Sequence, residues 1–586
     1  MYVYRLNEIE SNDGTKIELG DLTVIIGPNN AGKSRALQDI AELTTQSFST
    51  PNVKVVAKVS TALPSDTTTL FRAYPKLRGI TTTNGVSLIS LNHTLIKSRS
   101  VSWGGIRENV EAQWNSGIER RDQYTVAHLI GQALTTHLLT ETRLTLLNAG
   151  PNAPEDTAET LLQQLYLESK HKEIELRETV KAVFSVELAL DFSIPSQLCL
   201  RIAEKLGDVP PDPRDARPIL SQLEKLDQQG DGLRSYVGIV ASLLVMNRPV
   251  CLIDEPEAFL HPPQAYALGR FIAQQSGNGE QIIIATHSAD ILRGALSLKD
   301  DVAVVRIDRK SETNSLRKLA PSRLKEIIKD PLLASHRVIE GLFSAAAIVV
   351  EADADARFYQ TILNKVHPNA DVHFVTADNK QTVPKIASLY RELGVRTVGV
   401  VDIDVLNDTK EFKKQLEAVG FDAVTIDALI DKQKVIDKSV TGKTIEERAQ
   451  ALLESLNTAN SDISSAISQS NQDNIDKAIK RADSTIRKTL ESGKPWAEVK
   501  EKGKEAFNID AQTAFEHIYK VCASVGLFIN PYGELESMLT DAGLPYTSDK
   551  SAWIRSAIPL AAKLDRAAGG HAFLFVESIN QHLFRS

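Results

Sequence analysis

Leu22-Thr23-Val24-Ile25-Ile26 runs without a break into Gly27-Pro28-Asn29-Asn30-Ala31-Gly32-Lys33-Ser34. The first stretch is a short apolar β run. The second matches G-x-x-x-x-G-K-S, and a helical pattern follows from about Arg35 to Leu43. Strand, tight loop and helix in that order form a cradle for phosphate. Backbone N–H groups converge on the anion, Gly27 and Gly32 permit close approach, and the helix turns its positive end toward the same point. Asn29 and Asn30 complete the loop. Lys33 is expected to reach the β and γ phosphates, and the Ser34 hydroxyl to ligate Mg²⁺.

Working outward, the next chemistry comes more than 200 residues later. Val250-Cys251-Leu252-Ile253 is an apolar strand ending in Asp254-Glu255. A carboxylate at that tip can hold Mg²⁺, which fits Asp254. Glu255 is placed on the opposite side of the strand end, where it can orient an attacking water. The strand Gln281-Ile282-Ile283-Ile284-Ala285 then leads into Thr286-His287-Ser288, which places His287 where it can contact a γ-phosphate. Helices are expected over 232–246 and 263–276. Strands alternating with helices predict a mostly parallel α/β sheet.

A second α/β pattern begins at Ala345. Ile348-Val349-Val350 ends in Glu351-Ala352-Asp353-Ala354-Asp355, and Val398-Gly399-Val400-Val401 ends in Asp402-Ile403-Asp404. In an open parallel sheet, sites assemble at the carboxyl ends of strands. Carboxylates gathered there repel one another unless cations neutralise them. Oxygen donors without His or Cys suit Mg²⁺ or Mn²⁺. Two such ions are the usual apparatus of phosphodiester cleavage.

The chain has 586 residues, 67 Lys plus Arg and 75 Asp plus Glu, for a formal charge of −8. With 42% hydrophobic and 24% charged residues, it has the composition of a folded protein rather than a disordered one or a basic nucleic-acid coat. A local basic groove or a metal site still permits DNA as a partner. No apolar run is long enough to cross a membrane, and the first residues lack the pattern of a signal peptide. Cys199, Cys251 and Cys522 are too scattered for a zinc site or a disulfide framework, so buried thiols and a cytoplasmic setting are expected. Residues 53–148 read as a mixture of short strands and loops. Residues 155–187 read as a helical hairpin or a dimerisation arm. Residues 444–526 read as helical and polar, with Lys and Arg balanced by Asp and Glu between 471 and 510.

The first set of motifs resembles the ABC-type ATPase superfamily, in its SMC-like branch. The resemblance implies ATP as ligand, Asp254-Glu255 as the Walker B pair and His287 as the switch histidine. It also implies a signature loop that completes the partner subunit's site. The candidate is Gly230-Asp231-Gly232-Leu233-Arg234-Ser235, which lacks the family's leading Ser. The second set resembles the Toprim domain, with Ala352 where that family often has Gly. The two in succession look like the OLD (overcoming lysogenization defect) family of nucleases. Likeness to that family implies metal ligation by Glu351, Asp355, Asp402 and Asp404, joined by Glu536. It further implies a lysine that neutralises transition-state charge, either Lys563 or Lys550, with Lys563 preferred.

The expected organisation is an ATPase domain over 1–150 and 226–310, interrupted by a helical insertion at 151–225. A linker over 311–343 leads to a Toprim domain over 344–440 and 527–586, itself interrupted by a helical insertion at 441–526. The implied activity is ATP-regulated, metal-dependent DNA cleavage in anti-phage defence. Implied partners are DNA, a second copy or higher homo-oligomer, and a helicase or a retron reverse transcriptase with its RNA and DNA, with no membrane. Three alternatives stand beside this. One is an SMC-like repair ATPase. Another is a strand-passage enzyme using Tyr519 or Tyr532. The last is a nucleotide-gated scaffold without nuclease activity.

Overall fold

The computed structural model describes residues 4–45, 52–73, 78–82, 85–89, 134–152, 160–167, 170–246, 248–440, 444–468, 472–492, 494–566 and 570–584, with 115 and 131 as isolated positions. The chain divides into two units, Met1–Phe343 and Ser344–Ser586.

The first unit is organised by a six-stranded sheet. Its order is Thr313–Lys318, Ala303–Lys310, Leu22–Ile26, Gln281–Ala285, Val250–Asp254 and Thr135–Leu138. All neighbours are parallel except the edge hairpin that ends at Lys318. The three strands bearing the nucleotide motifs are therefore adjacent, with the His287 strand in the middle. Each of these three is buried along its whole length, as continuous apolar runs in a doubly covered parallel sheet must be. A smaller antiparallel sheet of Lys16–Glu18, Arg5–Ser11 and Val56–Ala62 shares a core with the helix Lys33–Thr45 through Ile9, Val56, Leu37 and Ile40.

Two expectations for this unit need correction. The segment 151–225 is not simply a helical insertion. The helices Leu161–Leu167 and Lys170–Phe184 are followed by the strands Glu187–Asp191 and Gln197–Ala203, paired antiparallel. The longer helix packs on the helix Asp231–Val245 rather than standing out as an arm. Nor is 311–343 a linker. Thr313–Lys318 closes one edge of the main sheet, and Leu324, Ile327, Val338, Ile339 and Leu342 are buried. The sequence reads as polar there because the strand shows only alternate residues to the core. Most of 90–133, within the stretch expected to mix strands and loops, lies outside the described residues.

The second unit is built on a four-stranded parallel sheet in the order Val372–Thr376, Ala346–Val350, Arg396–Val401 and Leu527–Ile529. The helix Asp353–Val366 packs against the helices Lys550–Lys563 and His571–Phe584. Phe358, Tyr359, Trp553 and Phe575 form the aromatic centre of that core. The insertion proper is narrower than 441–526. The helices Ile445–Ser468 and Gln472–Ser492 pack chiefly on each other. By contrast, Ile509–Ser524 buries Phe515, Ile518 and Cys522 against the strand Leu527–Ile529 and the helix Ala423–Ser439. Its apolar positions recur at helical spacing and belong to the body of the unit.

Candidate functional site

The phosphate loop has the backbone its sequence demands. Gly27 and Gly32 take φ of +148° and +99°, and Asn30 takes +62°. A Cβ on Gly27 would come 2.3 Å from the carbonyl of Ile307, so no other residue fits there. Asn29 and Asn30 are exposed at the loop tip. Lys33 is buried and donates to the carbonyls of Gly27 (2.7 Å) and Pro28 (2.9 Å). Its charge holds the loop closed on itself. Burial lowers its pKa to about 8, against the pull of Glu255 and Glu257.

The end of the strand Val250–Asp254 meets this loop. Burial raises the pKa of the Asp254 carboxylate, and the neighbouring Ser34 hydroxyl works against that rise. Asp254 Oδ1 is buried without a hydrogen-bond partner. A buried carboxylate oxygen with free lone pairs beside a hydroxyl fits a hard cation such as Mg²⁺. Glu255 does not lie apart from the histidine strand. His287 Nε2 is 3.3 Å from Glu255 Oε1. Glu255 N–H donates to Ala285 O at 2.8 Å, and its φ is +45°.

Sequence reasoning missed Glu257. It accepts from the Thr286 hydroxyl at 2.8 Å and from the His287 N–H at 2.6 Å, tying the two strand tips together. The acid two residues beyond Glu255 was the available signal. Gly230 caps the helix Asp231–Val245. A Cβ on Gly232 would stand 2.5 Å from Phe259 O, so the candidate signature lies against the loop after Glu255.

The acids of the second unit gather at the carboxyl edge of its sheet. Glu351 follows Ala346–Val350 and Asp402 follows the neighbouring Arg396–Val401. The Asp402 N–H donates to Glu351 Oε1 at 3.4 Å. Asp355 turns back to accept from the Ala352 N–H at 2.8 Å. Burial pushes Glu351 up to about 7, with Asp404 and Asp355 adding to it. Asp402 is held well above the ordinary carboxylate range by burial, then by Glu351 and Asp355. Burial also raises Asp355 and Glu536, and Lys550 resists it in both. These carboxylates therefore feel one another, as the sequence pattern predicts.

Lysines enter the same pocket. Lys550 Nζ lies 3.1 Å from Asp355 Oδ1. Lys500 Nζ lies 3.3 Å from Asp404 Oδ2 and 2.5 Å from Glu534 Oε1, and Lys380 Nζ lies 3.5 Å from Asp404 Oδ1. Lys550 thus stands where Lys563 was preferred. Lys563 is exposed at the opposite end of the same helix, 13 residues on, or about 20 Å away at 1.5 Å per residue. Lys380 and Lys500 were not foreseen. The charge balance of the segment around Lys500 hid its role, and Lys380 sits in an unremarkable loop.

Among the described residues, no three His, Cys, Asp or Glu side chains converge into a ready cage for an ion. The donor set is nonetheless all oxygen, and two of its carboxylates are raised by their neighbours' charge as well as by burial. That set fits divalent Mg²⁺ or Mn²⁺, which would relieve the repulsion.

Comparison with known proteins agrees with this division. Residues 149–293 match a family model described as "AAA domain, putative AbiEii toxin, Type IV TA system". Residues 342–404 match the overcoming lysogenization defect protein-like Toprim domain. The curated relative named Old nuclease, from Escherichia phage P2, is 26% identical over 166 residues. That match covers 27% of this chain and spans only 28% of the relative's length. The SMC head domain of Thermotoga maritima aligns with 54% of this chain and 99% of its own, at 12% identity and a TM-score of 0.29. An SMC head domain from Pyrococcus furiosus aligns with 56% of this chain and 99% of its own, at 12% identity and a TM-score of 0.32. Likenesses that slight carry no weight beside the strand order. No described helix is long and apolar enough to cross a membrane. Motifs, sheet topology and family matches together give this chain a region that matches an AAA domain model, followed by a region that matches an OLD-like Toprim model.

Proposed function

We propose that the protein is an ATP-regulated, divalent-metal-dependent DNA endonuclease acting in defence against phage. One observation carries the reading: Glu351 and Asp402 meet at the ends of paired parallel strands, with Asp355, Asp404 and Glu536 around them. These five carboxylates would hold the ions. Bound divalent ions would supply the charge that activates water and stabilises the departing 3′ oxygen. Lys550, half-buried beside Asp355, is placed to hold a phosphate oxygen in the transition state. In the first unit, Lys33 and the loop amides would bind ATP, Ser34 and Asp254 its Mg²⁺, and Glu255 with His287 would orient water. The place in phage defence rests on the resemblance to the OLD family. A homodimer or higher oligomer follows from the SMC-like reading, in which Gly230 and Gly232 complete a second copy's site. A helicase or retron reverse transcriptase as companion belongs to the same reading.

Plasmid DNA incubated with Mg²⁺ or Mn²⁺ tests the nuclease site. Glu351→Ala and Asp404→Ala should each abolish cutting, and undiminished cutting by both refutes it. Repeating the assay with ATP, with ADP and with Lys33→Ala tests the regulation.

A second reading has its own observation. Lys550, Lys500 and Lys380 pair with Asp355 and Asp404, so the acids could be a structural network in a repair ATPase or scaffold. Calorimetric titration of Mn²⁺ into the full chain separates the two. The nuclease reading requires binding that Asp402→Asn removes.

A further inference from the structure

Arg143 is among the largest fully buried side chains, at 1% exposure. It follows the edge strand Thr135–Leu138, at the end of the four-residue helix Thr140–Arg143. Burying a guanidinium is costly unless its donors are used. Here they are spent on one place. Nη2 donates to the carbonyl of Glu255 at 2.6 Å, and Nη1 donates to that of Asp254. Nε donates to the Ser235 hydroxyl at 2.7 Å. Ser235 lies in the first turns of the helix Asp231–Val245, which Gly230 caps. That helix lies directly on Arg143, because a Cβ at Gly238 would come 2.7 Å from the Arg143 carbonyl.

Glu255 carries a left-handed φ of +45°, a strained conformation for a residue with a side chain. Something must hold it. Its N–H is fixed by Ala285 O and its carbonyl by Arg143, so the turn is pinned from both sides. The pinned turn aims the carboxylate at His287. We propose that Arg143 is a positioning residue for ATP hydrolysis, which locks the strained turn at Glu255 and joins it to the helix headed by Gly230 and Gly232. This rests on the reading of Glu255 as the residue that orients water. A shift of that helix would reach Glu255 through a single guanidinium, without crossing the phosphate loop.

The test uses the full chain, with ATP turnover at saturation and the affinity of a fluorescent ATP analogue measured separately. Arg143→Lys cannot serve three acceptors in this geometry. It should lower kcat roughly 100-fold, the cost of misplacing a reacting group by about 1 Å, with affinity within about twofold. Ser235→Ala leaves both carbonyl bonds and should lower kcat about fivefold, the worth of one hydrogen bond. Because Arg143 acts through Glu255, the double variant Glu255→Gln with Arg143→Lys should be no slower than Glu255→Gln alone. Multiplying effects, or kcat and affinity falling together, overturns the proposal. Unimpaired turnover by Glu255→Gln would sink the premise about Glu255, and the proposal with it. If Arg143→Lys melts early, Ser235→Ala takes its place in the same cycle with Glu255→Gln, and multiplying effects there overturn the proposal equally.

Discussion

The two sites solve opposite electrostatic problems. The phosphate loop is a cradle of backbone amides with one buried lysine. Lys33 meanwhile bonds to the loop's own carbonyls. The acid pocket of the second unit is built from side chains and has a surplus of negative charge. Lys550, Lys500 and Lys380 offset part of it. A loop made of consecutive residues forms as one piece. A pocket assembled from Glu351, Asp355, Asp402, Asp404, Glu534, Glu536 and distant lysines depends on every segment arriving. The first should respond to substitution by losing its ligand, the second by changing its stability as well.

The largest expected effect is on activity. Glu351→Ala should lower DNA cutting by more than about 100-fold, as loss of a principal charge-stabilising group does, while ATP binding stays intact. Gly27→Ala should do the reverse, because its Cβ would meet Ile307 O at 2.3 Å. It should abolish binding of an ATP analogue and leave Mn²⁺ binding by the second unit unchanged. If either variant damaged both sites, the contrast between them would fail.

Stability sharpens the comparison. Lys550→Met leaves Asp355, whose side chain is 7% exposed, without its cation. Breaking a fully buried pair costs about 3–5 kcal/mol, and the partial exposure of Lys550 lowers that to about 2 kcal/mol in urea unfolding. Lys563→Met, at an exposed position on the same helix, should change stability by less than about 0.5 kcal/mol. Equal effects would return the choice of lysine to the sequence expectation.

The smallest effect is a pH dependence in the first unit. Burial raises Glu280 to about 7, opposed by Lys172. The folded chain therefore holds this proton where the unfolded chain has lost it. The stability it contributes is full below about pH 4.5 and is lost as pH rises toward and through 7. Glu280→Gln should be more stable than the parent at pH 8, by about 1–2 kcal/mol in urea unfolding, and no more stable near pH 4.5. A constant difference across that range would show that the proton is not the cause.

What could be read in the sequence follows from how each part is encoded. Gly27–Ser34 is contiguous and carries its own flanking strand and helix, so its geometry was legible. Asp254, His287, Glu351 and Asp402 were legible as strand tips, because apolar runs mark the strands. Arg143 was not. It follows a strand of only four residues, two of them Thr, and its partners are backbone carbonyls more than 100 residues away. Lys550 and Lys563 share one helix, and composition cannot say which end faces the acids. The strand Thr313–Lys318 was hidden because an edge strand needs few apolar residues.

The last strand of the second sheet has a consequence for how the protein is made. Leu527–Ile529 pairs with Arg396–Val401 across more than 120 intervening residues. A ribosome-bound chain that has emerged only through residue 500 carries Glu351, Asp355, Asp402 and Asp404 on an unfinished sheet, with Lys550 not yet synthesised. Such long-range pairing is slow and leaves an open strand edge exposed in the meantime. The second unit thus completes its fold only once the segment through Lys550 has emerged, and the intermediates before that point are the ones most in need of a chaperone.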